Sequence, residues 1–274
     1  MRSFVQSAKQ FFALSMSVIG TLWTCIEVVD FFYPDELEKY ITPGIIPLIA
    51  IIIPILVRIY KNYSFTCSVG DQGELCIKYG NLLHQKRSSI VVNINNEIRT
   101  PQKPNGSLHW KIVSGRGGED FRKGLEEERK NLNGQKAPMG YIIDLNHKRK
   151  HVLFLVSATL HEKGKSMSNP DDLMKAYHEL FSNQAGFQAK NHTMSIPVSG
   201  TGRAGINMTF EEVIEMIARE YIICCVQREP NSTKRIHKLN IIIYPKDRKN
   251  IKDWNALCSK IDAMAQLCGE CQQL

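Results

Sequence analysis

Ser195-Ile196-Pro197-Val198-Ser199-Gly200-Thr201-Gly202-Arg203-Ala204-Gly205-Ile206 is the stretch whose reading decides the fold. An apolar, β-prone lead-in from Thr193 to Val198 runs into a loop carrying Gly200, Gly202 and Gly205. A helical pattern follows, with apolar residues at Val213, Ile214, Ile217 and Ala218. Strand, glycine loop and helix in that order make an anion cradle. Glycine lets the backbone turn tightly and bring its N–H groups to a ligand, and a following helix start adds orphan donors and partial positive charge. No Lys-Ser or Lys-Thr pair follows the last glycine, and the spacing is not GxGxxG, so this is neither a Walker loop nor a dinucleotide fingerprint. The alternative is a strand-to-helix turn that needs positive φ.

Outward from that loop, strands alternate with helices. The pattern predicts strands at Phe65–Val69, Glu74–Tyr79, Ser89–Ile94, Tyr141–Asn146, His151–Thr159, Thr193–Val198 and Lys238–Tyr244. It predicts helices at Arg116–Leu132, Asp171–Ala189, Thr209–Glu220 and Ile251–Cys268. Alternation of this kind implies an α/β domain with a largely parallel sheet covered on both faces. Ligands of such sheets bind at the carboxyl ends of the strands. Three further strand ends carry suitable chemistry: Asn81 after Gly80, the cluster Asn93, Asn95 and Asn96, and Tyr244. Asparagine offers donors and an acceptor for ribose hydroxyls or base edges, and it is also common where strands stop. Tyr244 either stacks on a base or caps the core.

Ahead of this domain lie two apolar stretches. After Lys9 the next charge is Glu27, and after Lys39 the next is Arg58. Each run approaches the ~20 residues that cross a bilayer core. They are read as a transmembrane hairpin over residues 1–63, with spans at about 10–32 and 41–60. Arg2 and Lys9 flank one side, and Arg58 and Lys61 the other, which sets both termini in the cytoplasm. The expected location is a two-pass inner membrane protein. A signal peptide fits less well, because a second apolar run follows and no small-residue cleavage site is visible. A buried helical hairpin is the other alternative.

The 274-residue chain carries a formal charge of +8 and eight cysteines. The charge suits an acidic partner: nucleic acid, anionic lipid or a phosphate-bearing small molecule. No zinc-finger spacing and no basic run interleaved with aromatics is present, so no nucleic-acid partner is expected. Cys268 and Cys271 form a single CxxC without the further ligands that zinc needs, and no metal is expected. Irregular cysteines fit a reducing compartment. The basic residues Lys148, Arg149 and Lys150, with Lys246, Arg248 and Lys249, read as solvated surface or as a face toward anionic lipid.

The strand ends together resemble the macro domain, the ADP-ribose-binding fold. Gly80-Asn81-Leu82 looks like the family's Gly-Asp-Ile, whose acid contacts the adenine. Val92-Asn93-Ile94-Asn95-Asn96 looks like its Val-Asn-Ala-Ala-Asn, whose last asparagine faces the distal ribose. Pro138-Met139-Gly140 matches a Pro-x-Gly turn, Ile196 to Gly202 looks like the loop around the pyrophosphate, and Tyr244 matches the aromatic that stacks on the nucleoside. The family's glycine triplet is replaced by Thr100-Pro101-Gln102-Lys103-Pro104-Asn105-Gly106-Ser107-Leu108-His109, which implies a different, side-chain-lined pocket for the distal end of the ligand. With the apolar segments in front, the chain resembles the transmembrane–macro effectors of Thoeris antiphage defence.

That resemblance implies an α/β macro domain at residues 64–274, a mixed, largely parallel sheet with helices on both faces, preceded by a two-helix transmembrane hairpin. It implies a membrane-anchored effector that binds an ADP-ribose derivative, histidine–ADP-ribose in the best-known type, made by a partner TIR-domain protein. The effector then forms a homo-oligomer and disrupts the membrane. No cofactor and no catalysis are implied. The implied ligand contacts are Asn81, Asn95, Asn96, Ser107, Leu108, His109, Ser199, Gly200, Thr201, Gly202, Arg203, Ala204, Gly205 and Tyr244. Arg203 is either a phosphate contact or a solvated loop cation. The competing readings are a membrane-tethered ADP-ribosyl hydrolase or ADP-ribose reader, with His109, His161 and Asp144 as conceivable acid–base groups, and an adaptor that uses its basic surface.

Overall fold

The computed structural model describes residue 20 and residues 64–70, 73–85, 87–101, 107–115, 117–147, 150–161, 166–182, 193–198, 206–226 and 236–270. The chain divides into two compact units, Met1–Ser64 and Phe65–Leu274. In chain order the strands are β1 Ser64–Val69, β2 Gly73–Tyr79, β3 Ser89–Asn95, β4 Ile142–His147, β5 Lys150–Leu160, β6 Ser166–Met167, β7 Thr193–Pro197 and β8 Lys238–Ile243. The helices are α1 Leu108–Val113, α2 Gly118–Asn131, α3 Pro170–Ser182, α4 Phe210–Val226 and α5 Trp254–Glu270.

The sheet order is β1-β2-β8-β7-β3-β5-β4, with β6 pairing β5. β2, β8, β7, β3 and β5 run parallel, while β4 and β6 pair antiparallel with β5. The mixed, largely parallel sheet expected from the sequence is therefore present. Parallel pairing gathers the carboxyl ends of β2, β8, β7, β3 and β5 along one edge.

Side chains alternate across a strand, so each strand feeds two cores. Val91, Leu153, Leu155, Ile196, Leu239, Ile241 and Ile243 face Leu173, Tyr177, Phe181, Val213, Ile217, Leu257 and Ile261 of α3, α4 and α5. Ile90, Val92, Ile94, Val152, Phe154, Val156 and Ile242 face Ile112, Phe121 and Leu125 of α1 and α2. Covering both faces explains why β5 reads as an unbroken apolar run from Val152 to Val156. Each such side chain contributes about 1.5–3 kcal/mol on burial. Phe154 is held edge-to-face by Phe121, with ring centroids 6.1 Å apart.

The helix starts are written in the sequence. Asn169 Oδ1 accepts from Asp172 N ahead of α3, and Asp253 Oδ1 accepts from Ala256 N at α5. At α4, Glu212 N donates to Thr209 Oγ1 and Thr209 N donates to Glu212 Oε2, a reciprocal capping box. The Pro138-Met139-Gly140 turn needs its glycine. Gly140 has φ +89, and a Cβ there would meet the Glu179 side chain at 2.6 Å.

One expectation is corrected. Among the described residues no helix is long and apolar enough to cross a membrane. The longest, α4 and α5, have 17 residues each, short of the ~20 a span requires. Both are amphipathic covers of the sheet, with charged outer faces such as Glu211, Glu215 and Arg219 on α4. The two-helix transmembrane hairpin and the two-pass inner membrane location are thus not supported. The expected spans at about 10–32 and 41–60 lie outside the described residues, Gly20 excepted. Apolar run length was the signal behind that reading, and it reports burial without saying in what.

Candidate functional site

The carboxyl edge of the parallel strands is built from four strand ends and one short helix. β2 ends at Tyr79, and Gly80 N donates to Ile243 O at 2.9 Å, which ties this end to that of β8. Asn81 follows and caps a 3-10 turn at Leu82–His84, its Oδ1 accepting from Leu83 N at 3.0 Å. Its Nδ2 has no hydrogen bond among the described residues.

The end of β3 separates two neighbouring asparagines by job. Asn95 Oδ1 accepts from Glu97 N at 3.1 Å and Arg99 N at 3.2 Å, and its Nδ2 donates to Arg99 O at 3.4 Å. That amide is consumed in knotting its own loop. The knot holds Ile98 at φ +52, a left-handed conformation that a β-branched residue resists. Asn96 accepts from Leu160 N at 3.1 Å through Oδ1, while its Nδ2 donates to nothing among the described residues. Of the two, Asn96 retains a donor for a ligand. Asn93, one pleat earlier, keeps a buried Oδ1 without a partner.

Ser107 caps α1, its Oγ accepting from Trp110 N at 3.0 Å. Leu108 packs at the margin of the core below α1. His109 turns inward: it is 6% exposed, and its ring meets Phe154 edge-on at 5.7 Å. Burial pushes its pKa down to about 4, so the imidazole is neutral at ordinary pH, and its Nε2 is buried without a partner. Because His109, Ile112 and Val113 are buried, the register of α1 turns Lys111 outward. Lys111 Nζ lies 5.5 Å from the centroid of the Tyr244 ring.

Tyr244 stands immediately after β8 and is 43% exposed, so it does not cap the core. A second aromatic group shares this edge. Tyr79 packs against Trp254 at 5.2 Å, and the Arg248 guanidinium lies 5.8 Å from the Tyr79 ring. Pro197 and Val198 lead into the glycine loop, and Ile206 leaves it buried. Ser199, Gly200, Thr201, Gly202, Arg203, Ala204 and Gly205 lie outside the described residues.

At the opposite end of the sheet sits a line of polar residues that the sequence did not announce. Ser89 Oγ bonds His151 Nδ1 at 2.7 Å, and His151 Nε2 bonds Asp144 Oδ1 at 2.5 Å. Ser, His and Asp in a row suggest a nucleophile and its base. Ser89 is 0% exposed and His151 4%, so no substrate reaches the hydroxyl. His151 is also seven residues down β5 from Ala158, about 23 Å from the carboxyl edge at the rise of a parallel strand. This line ties β3, β5 and β4 together. Asp144, weighed from sequence as an acid–base group, belongs to it. Beside it, Ser88 Oγ bonds Ser195 Oγ at 2.8 Å, and Asn240 Nδ2 donates to Ser195 Oγ at 3.3 Å.

Lys111 is the residue that sequence reading missed. Its signal was present: Ser107 as a cap, then Leu108 and Ile112 at helical spacing. Among the described residues, no group of three or more His, Cys, Asp or Glu side chains is placed to hold a metal ion.

Residues 75–244 match the family described as the Thoeris protein ThsA, Macro domain. A comparison with curated proteins gives no match. Among solved structures, a point mutant of the Oceanobacillus iheyensis macrodomain aligns with a TM-score of 0.51 at 12% identity, over 74% of this chain and 97% of that one. The same macrodomain with MES bound aligns with a TM-score of 0.51 at 14% identity, over 72% of this chain and 94% of that one. Thermosipho africanus DarTG in complex with ADP-ribose aligns with a TM-score of 0.50 at 14% identity, over 72% of this chain and 47% of that one. Identities this low speak to fold alone, and the fold they share is the macro domain. The matched segment starts within β2 and ends at Tyr244, beyond β8, so it takes in the whole parallel array and more than half of the sequence: the chain belongs to the Thoeris ThsA macro-domain family.

Proposed function

We propose that the carboxyl edge of the sheet binds an ADP-ribose derivative as a signal and does no chemistry on it. The observation that carries this reading is the placement, inside the family segment, of Asn81, Tyr244 and Asn96 on one edge of the sheet, after the paired strands β2 and β8 and after β3, one strand further across β7. Asn96 Nδ2 offers a donor to the distal ribose, and Asn81 offers an amide to the adenine. Tyr244 offers a ring to the nucleoside. The glycine loop from Ser199 to Gly205 suits the pyrophosphate on sequence chemistry. The family's membership in Thoeris defence supports a conjugate such as histidine–ADP-ribose, produced by a TIR-domain partner. Ligand binding then favours a homo-oligomeric state, which requires a higher affinity for that state than for the free chain.

Two of the three acid–base candidates are placed in a way that favours binding without turnover over ADP-ribosyl hydrolysis: His109 is buried and neutral, and Asp144 is engaged with His151 at the far end of the sheet. His161, exposed just past the end of β5, is the candidate that the carboxyl edge keeps, and the assay for released ADP-ribose tests it. Calorimetric titration of the purified chain with ADP-ribose, histidine–ADP-ribose and adenosine tests the reading. A saturable heat for either ADP-ribose compound, with the ligand recovered unchanged, is expected. Absence of binding to both, or release of free ADP-ribose from an ADP-ribosylated protein, rejects it.

A further inference from the structure

We infer that Lys111 reads negative charge on the ligand, with Tyr244 holding it in position. This deepens the ligand-binding reading above and rests on it. Lys111 stands outside every motif that points to the site, yet the fold brings it there. Three buried neighbours on α1, His109, Ile112 and Val113, fix the rotation of the helix. The Ser107 cap fixes where the helix begins. Both constraints aim Lys111 across the site onto the Tyr244 ring, 5.5 Å from Nζ to centroid.

Two features mark this cation as available to a ligand. Lys111 is exposed, and it makes no ion pair among the described residues. The aromatic ring orients the ammonium without neutralising it, because a ring quadrupole carries no net charge. An ammonium presented in that way gives charge-assisted hydrogen bonds to anionic oxygen. The ring face nearest Lys111 is taken, so a base stacking on Tyr244 uses the other face. Anionic oxygen has two sources in an ADP-ribose conjugate: the diphosphate and the carboxylate of an attached amino acid. Both present the same chemistry to Lys111, and different ligands separate them.

The experiment titrates the full chain and two variants against adenosine, ADP-ribose and histidine–ADP-ribose. Lys111→Met keeps the aliphatic stem and removes the charge; Lys111→Arg keeps the charge. The expected result is an affinity about tenfold weaker for anionic ligands in Lys111→Met. Lys111→Arg restores most of it, and adenosine binding does not change. An equal loss for both ADP-ribose compounds assigns Lys111 to the diphosphate. A loss confined to the conjugate assigns it to the carboxylate. Unchanged affinity of Lys111→Met for both compounds overturns the inference and leaves the binding reading intact. So does an equal loss for adenosine, which would trace to packing. If the unaltered chain binds neither compound, the binding reading falls first and this inference with it. Lys111 is at the surface, so both variants are expected to melt with the parent, and the melts check that they do.

Discussion

The two ends of the parallel sheet use the same kinds of side chain to opposite ends. At the amino end, Ser89, His151 and Asp144 form a continuous line of hydrogen bonds, and Ser88, Ser195 and Asn240 form another. The serines and His151 there are buried and bonded, Asp144 is their exposed end, and Asn240 keeps one buried Oδ1 without a partner where no ligand reaches it. At the carboxyl edge, Asn81 and Asn96 each use their oxygen locally and keep an amide without a partner among the described residues. Tyr244 and Lys111 stand exposed across from each other. Residue type therefore does not identify the site. A Ser-His-Asp line is structural when it is sealed, and a half-satisfied asparagine at a strand end is the better mark of a ligand.

The sharpest way to break this contrast is His151→Ala. It leaves Ser89 without that bond, takes the partner from Asp144 and opens a cavity between β3, β5 and β4. Lost hydrogen bonds and the cavity together cost about 3–4 kcal/mol. In a domain of this size that lowers Tm by about 10 °C. Ligand affinity of the folded variant should stay within about twofold of the parent. If His151→Ala instead abolishes binding at full stability, the two ends are not separate in function.

Nearly as large is an acid effect centred on His109. Burial holds its pKa near 4 in the folded state, against 6.5 when exposed. Between those values the unfolded chain binds the proton and the folded chain does not. Stability is therefore full above pH 6.5, declines as pH falls and levels off below pH 4. The total loss from this group is about 3 kcal/mol. His109→Leu removes the group and, with it, an orphaned Nε2. Urea unfolding across this range should give the leucine variant a flatter profile, offset by that amount at its acid end. Parallel profiles would place the imidazole in contact with water or an acid.

Much of the fold was legible because strand and helix periods are local. The run Ser89–Ile94 marked β3, found as Ser89–Asn95, and Lys238–Tyr244 marked β8, found as Lys238–Ile243. Burial on both faces gave each run an apolar centre, Ile90–Val92 in β3 and Ile241–Ile243 in β8, a signal that no packing detail obscures. What was not legible depends on register or on short elements. α1 has six residues and follows a proline-containing loop, so its apolar spacing was too brief to register. Lys111 was lost with it. Ser89, His151 and Asp144 are brought together by the parallel β3–β5 and antiparallel β4–β5 registers, which no local pattern states. Asn95 and Asn96 were read as one cluster, because only hydrogen bonding separates the knotted amide from the one with a donor to spare.

Asn96→Ala sharpens the carboxyl side of the contrast. It removes the acceptor of Leu160 N, worth about 1 kcal/mol of stability, and the amide proposed to meet the distal ribose. ADP-ribose affinity should fall about tenfold while adenosine affinity holds. Asn95→Ala is the control: it loosens the turn that holds Ile98 at positive φ, so it should cost stability more than affinity. The reverse ranking, with Asn95→Ala the weaker binder, would exchange their roles.

The smallest effect expected is that of Tyr244→Ala. The ring is 43% exposed, so its removal uncovers little apolar surface and leaves Tm close to the parent. One face lies against Lys111, so at most the other is open to a base. Stacking on a single face at a solvent-exposed position contributes about 1 kcal/mol, the low end of base–aromatic stacking, and affinity should drop about fivefold. Adenosine is the informative ligand, because it carries the base and no phosphate. A fivefold loss for adenosine places Tyr244 on the nucleoside. A loss seen with ADP-ribose and absent with adenosine would mean that the ring acts only by orienting Lys111, which would move the nucleoside toward Tyr79 and Trp254 on the same edge.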